Sequence, residues 1–134
     1  MKNNFKLITI LFTALITATA CAEGETKTTA KFNELKCIGT EPFWSLDLKG
    51  QDITLEDLDS TQGKFKLTKA TASSNHTNRW FLTAENAKQE EFLSVALFKT
   101  NQCSDDMSDF SYEYDAIIST PDAQVFSGCC NRIM

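Results

Sequence analysis

Residues 44–58 read WSLDLKGQDITLEDL, and apolar side chains alternate with polar ones on both sides of a glycine. This alternation is typical of a β-strand that buries one face and exposes the other. Gly50 lies in the polar segment between the two alternating runs, and it can adopt the positive φ that tight hairpin turns require. The stretch therefore predicts a β-hairpin with one face against a core.

Similar runs recur along the chain, separated by polar residues, glycine or proline. Together they predict about eight strands, at residues 33–38, 44–48, 53–58, 65–69, 80–83, 92–98, 110–119 and 125–130. Residues 85–91 are predicted to form either one helical turn or a loop. The pattern indicates an all-β domain built as a small antiparallel barrel or, alternatively, a sandwich. We favour the barrel, because closure leaves no exposed strand edge.

The composition limits what the protein can do. The chain has 134 residues, of which 42% are apolar, and 13 basic against 18 acidic residues give a net charge of −5. The length suits one domain, and the net negative charge argues against broad binding to a nucleic-acid backbone. A single histidine excludes metal sites and proton relays that need two. No cofactor and no catalytic residue are predicted.

The N-terminus has the pattern of a secretory signal peptide, which we assign to residues 1–20. Lys2 and Lys6 precede an apolar run at residues 7–20, which is too short for a membrane-spanning helix of about 20 residues. Cleavage before Cys21 would leave that cysteine as a lipidation site. Cleavage after Ala22 would remove it, and both outcomes stay open.

The remaining chain divides into a tether and one folded domain. Residues 21–31 are polar and rich in threonine, which predicts a flexible tether, and residues 32–134 are expected to form a single all-β domain. The protein is thus predicted to be exported, either to the periplasm or as a lipoprotein anchored to the outer membrane.

Four cysteines remain in the domain, namely Cys37, Cys103, Cys129 and Cys130. An even number in an exported domain predicts two disulfides. A bond between adjacent cysteines is strained and rare, so Cys37 and Cys103 should each bond one member of the C-terminal pair. The sequence leaves open which of the two bonds Cys129 and which bonds Cys130. Neighbouring strand residues point to opposite faces, so one bridge is expected in the core and one outside. The alternative is a thiolate site for Cu(I) that also uses Met107.

Phe43 and Trp44 place two large rings at the start of a predicted strand. One interpretation is a core plug that closes the barrel end, because Trp44 shares a face with Leu46 and Leu48. The other is an aromatic surface that contacts a partner, since such rings supply much of the energy of protein interfaces. Both residues are therefore candidate partner contacts.

The segment from Cys103 to Asp109 carries three carboxylates, at Asp105, Asp106 and Asp109. It can be a solvated turn, a cation site or an acidic contact for a basic partner. Met107 is expected to pack inward beside the disulfide. His76 lies in the polar loop 73–78, where an exposed, non-catalytic side chain is the simplest expectation.

Three motifs resemble a family of small, uncharacterised exported bacterial proteins and lipoproteins. That family shows G-x-EPFW, C-x-D-G-M-S-D and a C-terminal GC or GCC, which match residues 39–44, 103–109 and 128–130 here. Asp106 stands where the family has glycine. If that glycine serves a left-handed turn, Asp106 must adopt it, which Asp does more readily than most residues.

The chain is also similar in size, predicted export and expected barrel shape to bacterial inhibitors of C-type lysozyme, although their Ser-Gly-x-x-Tyr and Tyr…Thr-Lys-Gly motifs are missing. The expectation is a non-enzymatic binding or structural protein of the cell envelope, with a basic envelope protein as its partner. The alternative is an inhibitor of a basic hydrolase such as C-type lysozyme, acting through Asp105, Asp106 and Asp109.

Overall fold

A computed structural model describes residues 32–56 and 62–133 and contains eight β-strands. These are β1 (Glu34–Thr40), β2 (Phe43–Lys49), β3 (Asp52–Glu56), β4 (Gln62–Ala72), β5 (Arg79–Glu85), β6 (Phe92–Ser104), β7 (Ser111–Ser119) and β8 (Val125–Arg132). Each strand pairs antiparallel with the next, and β8 pairs with β1. The predicted all-β barrel is confirmed, and the sandwich alternative is wrong because the sheet closes on itself.

β4 and β6 exceed their predicted ranges by more than any other strand. β4 and β6 each contain a register shift, at residues 67–69 and 99–103 respectively. A bulge inserts extra residues, so apolar positions no longer alternate through it. The alternation of apolar and polar residues therefore ends at the bulge, although the strand continues beyond it. Glu85 ends β5, and residues 86–91 connect it to β6 through a turn without an α-helix. Residues 57–58 lie outside the described part of the chain.

The barrel interior is filled by apolar side chains that come from every strand. Leucine, isoleucine and valine dominate the deepest positions, among them Leu35, Leu46, Ile53, Leu97 and Ile118. Burial of such side chains away from water supplies most of the driving force for folding. No helix within residues 32–56 and 62–133 is long and apolar enough to cross a membrane.

Connections between strands alternate between the two barrel ends. The Pro42 end carries residues 41–42, 86–91 and 120–124, and the Asp105 end carries residues 50–51, 73–78 and 105–110.

At the Asp105 end, three buried aromatic residues close the barrel, namely Phe32, Trp80 and Tyr114. Their ring centroids lie 5.4–5.9 Å apart in edge-to-face contact. Burial raises the pKa of Tyr114.

At the Pro42 end, the indole of Trp44 closes the barrel. Trp44 lies opposite Gly39 in the β1–β2 register, and its Nε1 donates a hydrogen bond to the Ser127 carbonyl at 3.3 Å. A Cβ atom on Gly39 would overlap Nε1 of the indole, and one on Gly128 would lie 2.5 Å from Cζ2. Trp44 is only 5% exposed, as the core-plug interpretation predicts.

Position 39 should therefore need glycine mainly because any larger side chain would overlap the Trp44 indole. We expect Gly39→Ala to lower the free energy of unfolding by about 1–3 kcal/mol, the usual cost of overpacking a core. In a Trp44→Phe background the same substitution should cost less, with a coupling energy of at least about 1 kcal/mol. Denaturant unfolding of the unmodified protein, the two single variants and the double variant measures both the loss of stability and the coupling energy. Strictly additive losses would show that Gly39 is needed for another reason.

Candidate functional site

The first disulfide closes the barrel. Cys37 and Cys130 are register partners on β1 and β8, and their bond joins positions 93 residues apart in sequence. Both side chains belong to the buried core cluster. This bridge therefore fixes the seam between the first and last strands from the inside.

The second disulfide joins Cys103 to Cys129, across β7. Both residues are buried but lie outside the core cluster, as expected for a bridge on the outer side. One bridge in the core and one outside is the predicted arrangement. Because all four sulfur atoms are bonded to one another in pairs, the thiolates that a Cu(I) site would need are not present.

Residues 104–110, which we name the acidic loop, follow Cys103 directly. The carboxylate of Asp105 organises this loop from within. Its Oδ1 accepts hydrogen bonds from the backbone amides of Met107 and Ser108, at 3.1 and 2.9 Å. The hydroxyls of Ser108 and Tyr112 donate to Oδ2, both at 3.1 Å. These contacts satisfy the backbone donors of a turn without help from a partner.

The charge on Asp105 is stabilised by these donors. The backbone amide of Ser108, followed by that of Met107 and the two hydroxyls, lowers the pKa of Asp105 below its ordinary value of 3.8. Burial and then the nearby Asp105 carboxylate raise the pKa of Tyr112. Asp105 is therefore a structural residue of the loop. Its spacing of three residues from Ser108 indicates this role in the sequence, but the contact with Tyr112 on β7 appears only in the structure.

The acid dependence of the loop follows from the lowered pKa of Asp105. A depressed carboxyl pKa gives stability that is present above the unfolded value and lost as pH falls through the folded one. We expect the Asp105 carboxyl to titrate below 3.8 by NMR. The amides of Met107 and Ser108 should lose hydrogen-exchange protection over that same lower range. In Asp105→Asn these amides should show no such acid transition. A midpoint at or above 3.8 would contradict the network.

Asp106 adopts the left-handed conformation, with φ of 58°. Its backbone amide donates to the Ser104 hydroxyl at 3.1 Å. The turn therefore needs the conformation that a glycine would adopt without a steric penalty. The expectation that Asp106 must tolerate a left-handed turn is confirmed.

Substitutions at position 106 should rank by their tolerance of positive φ. We expect Asp106→Gly to change the free energy of unfolding by less than about 1 kcal/mol, since relief of backbone strain offsets glycine's greater entropy when unfolded. Asp106→Val should destabilise by about 1–2 kcal/mol, because a β-branched residue fits this region poorly. Thermal unfolding measures both. Equal stability of the two variants would refute a requirement for positive φ.

Apart from two serines, the exposed side chains of the acidic loop are Asp106, Met107, Asp109 and Phe110. Met107 is 70% exposed, so the prediction that it packs inward beside the disulfide is wrong. The reason is the turn itself. The amide of Met107 points into the turn toward Asp105, and its side chain projects away.

The structure does not bring the predicted partner contacts together. Trp44 is inside the barrel, and Phe43 is 53% exposed at the Pro42 end. Asp105, Asp106 and Asp109 lie at the opposite end of the barrel. Cys21 and the rest of residues 1–31 lie outside the described residues.

A shallow groove of about 350 Å³ lies beside β4, β5 and β6, lined in part by Ser73, Ser74, Arg79, Phe81 and Phe98. Its loop, residues 73–78, also holds His76, which is exposed. In this loop, Ser73 donates to the Asn75 side chain and Asn78 donates to a β6 carbonyl. Within the described ranges, no group of three or more His, Cys, Asp or Glu is placed to hold a metal ion.

No family model, curated protein or solved structure matches this chain. The family resemblance carried by the three motifs therefore stays a prediction. Two of those motifs do meet in space, because the indole of Trp44 packs against both Gly39 and Gly128. The remaining motif, at residues 103–109, forms most of the acidic loop.

Proposed function

We propose that this protein is a non-enzymatic binding protein of the cell envelope whose acidic loop contacts a basic partner protein. The observation that carries the proposal is that the loop is fixed while its outward side chains stay exposed. The Cys103–Cys129 bond fixes one flank, and the Asp105 network holds the turn itself. Binding through a preformed loop loses little conformational entropy.

The exposed side chains of the loop combine charge with apolar surface. Asp106 and Asp109 are exposed carboxylates, while Met107 and Phe110 are 70% and 56% exposed. Methionine and aromatic residues are enriched at protein interfaces. The carboxylates would steer a basic partner toward the loop, and the apolar side chains would hold it after contact.

The cellular location is part of the proposal. Two disulfides are compatible with an oxidising compartment, which for a bacterium lies outside the cytoplasm. The signal-peptide pattern of residues 1–20 supports export, and Cys21 supports a lipid anchor. We infer that the protein works in the periplasm or on the outer membrane.

Inhibition of a basic hydrolase is the second candidate. The observation that favours it is the same fixed turn at the barrel end, since a rigid loop can occupy a cleft without ordering on contact. Adding the purified protein to a C-type lysozyme assay tests this candidate. Loss of lysozyme activity at low salt, reversed by Asp106→Asn/Asp109→Asn, would establish it. Full lysozyme activity at an excess of the protein would exclude lysozyme as the target.

The loop proposal is tested by association kinetics with a partner recovered by cross-linking from an envelope extract. We expect Asp106→Asn/Asp109→Asn to slow association by about three- to tenfold at low salt, with a much smaller change in dissociation. The difference should vanish at about 500 mM salt, where the Debye length is short. Asp105 is kept in this variant, because its loss would disturb the loop itself.

The matched control is Glu41→Gln/Glu90→Gln, which removes the same charge from two exposed residues at the Pro42 end. This variant should associate as fast as the unmodified protein, apart from a small effect of net charge. An equal slowing by both variants would mean that only the net charge matters, and no slowing by either would reject the loop as the contact.

A further inference from the structure

The outer surface of the barrel is chemically divided. On β1 to β4, about half of the outward positions are charged, at Glu34, Lys36, Asp47, Lys49, Asp52, Glu56, Lys64, Lys66 and Lys69. On β5 to β8, two neighbouring rows of outward positions carry no charge. The first row is Phe81, Ala96, Ile117 and Ser127, and the second is Thr83, Ser94, Ser119 and Val125.

We name these eight residues the uncharged face. Three of its members are large apolar side chains in water, since Phe81, Ile117 and Val125 are 50%, 44% and 64% exposed. The interior of the same strands is already filled by the core, so these side chains are not needed to fold the barrel. Phe81, Ala96 and Ile117 are neighbours in one row, and apart from Val125 the other members of the face are serine or threonine. Exposed apolar side chains grouped within an uncharged surface are found at interaction sites.

One border of the face carries a pair of opposite charges. Arg79, Phe98 and Asp115 form the next row, on β5, β6 and β7 in that order. The Arg79 guanidinium lies over the Phe98 ring, 5.6 Å from its centroid. The Asp115 carboxylate accepts a 2.6 Å hydrogen bond from the Thr100 hydroxyl. Both charges are thus held in place on either side of Phe98.

We propose that the uncharged face binds a second copy of this chain, related by a two-fold axis that runs along β6. Such an axis exchanges β5 with β7 across the interface while keeping each row at its own height, and it places β8 opposite β4 of the second copy. The self-contacts therefore come from β5, β6 and β7. Arg79 then meets Asp115 of the second copy, and the reverse contact forms as well. In the next row, Phe81 faces Ile117 of the second copy, and Ala96 faces Ala96 of the second copy across the axis.

This symmetry is what points to a second copy. A single surface supplies both charges of the pair and both apolar halves, which is the self-complementarity that an isologous dimer needs. The chain has a net charge of −5, so two copies repel each other through most faces. The uncharged face avoids that repulsion along its own rows, and the axis along β6 leaves the two acidic loops at the same end of the dimer. The face also lies on the side of the barrel, apart from the acidic loop at its end, so a basic partner and a second copy can bind at once.

The size of the face sets the expected affinity. The three strands that meet across the axis, at about 4.8 Å spacing, and three rows of residues span only a few hundred Å², roughly. A tight interface buries about 800 Å² on each partner. We therefore expect a weak dimer, with a Kd on the order of 10–100 µM.

The experiment measures sedimentation equilibrium of the full chain carrying Cys21→Ser, so that no acyl group drives association. Over about 1 µM to 1 mM the mass should rise from monomer to dimer, as a Kd in that range requires. Arg79→Glu alone and Asp115→Lys alone should each weaken the dimer at least about tenfold, because like charges then meet twice. Mixing these two chains should restore dimerisation, since both contacts become attractive again.

Because Asp115→Lys also removes the hydrogen bond from Thr100, a second pair of variants tests the same interface independently. Ala96→Glu and Ala96→Lys each place like charges against themselves on the axis, so each should be monomeric, while their mixture should dimerise. The matched control is Lys36→Glu and Asp47→Lys, a register pair on the charged side, which should leave the dimer unchanged.

A monomer at every concentration, or a mixture that fails to restore association, would overturn the proposal. Monomers that bind neutral phosphatidylcholine vesicles through Phe81 and Ile117 would assign the face to lipid instead. The Asp106→Asn/Asp109→Asn chain should dimerise normally, so failure of the dimer and failure of the acidic loop are told apart.

Discussion

The Trp44 indole lies where three strands of the barrel meet. It lies over Gly39 on β1, packs against Gly128 on β8 and donates a hydrogen bond to the Ser127 carbonyl. A side chain at either glycine would occupy the space of the ring. The pairing of β8 with β1 therefore depends on two residues without side chains and one large ring, because protein interiors tolerate neither overlap nor voids.

The Cys37–Cys130 bond acts on the same seam. Pairing of β1 with β8 brings together positions 93 residues apart, so it carries the largest loop-closure cost in the barrel. A covalent link removes much of that cost from the unfolded chain, on the order of 4–5 kcal/mol for a loop of this length. The ring and the bridge thus stabilise the contact that local sequence supports least.

The sequence predicts the strands far better than it predicts bulges or contacts between side chains on different strands. Alternation reports which face of a strand is buried, so all eight strands and the all-β class can be derived from it. The choice of a barrel over a sandwich needs the further argument that closure leaves no strand edge exposed. Bulges such as that at residues 99–103 add residues outside the alternation and remain hidden. The role of Asp105 depends on Tyr112 from another strand, and the neighbourhood of Phe81 and Ile117 appears only once two registers are known.

The division of the outer surface follows from how the interior is built. Because the core, the indole and the two bridges specify the barrel, outward positions are released from any role in folding and can differ from side to side. On one side they carry alternating charges, some of them paired across strands, as Lys66 and Asp52 are at 2.6 Å. Such exposed pairs add little stability, so their value is solubility. The other side gives up that solubility over two rows, where Phe81, Ile117 and Val125 remain exposed to water. Association through that face, as proposed above, would remove these side chains from water on an otherwise acidic barrel.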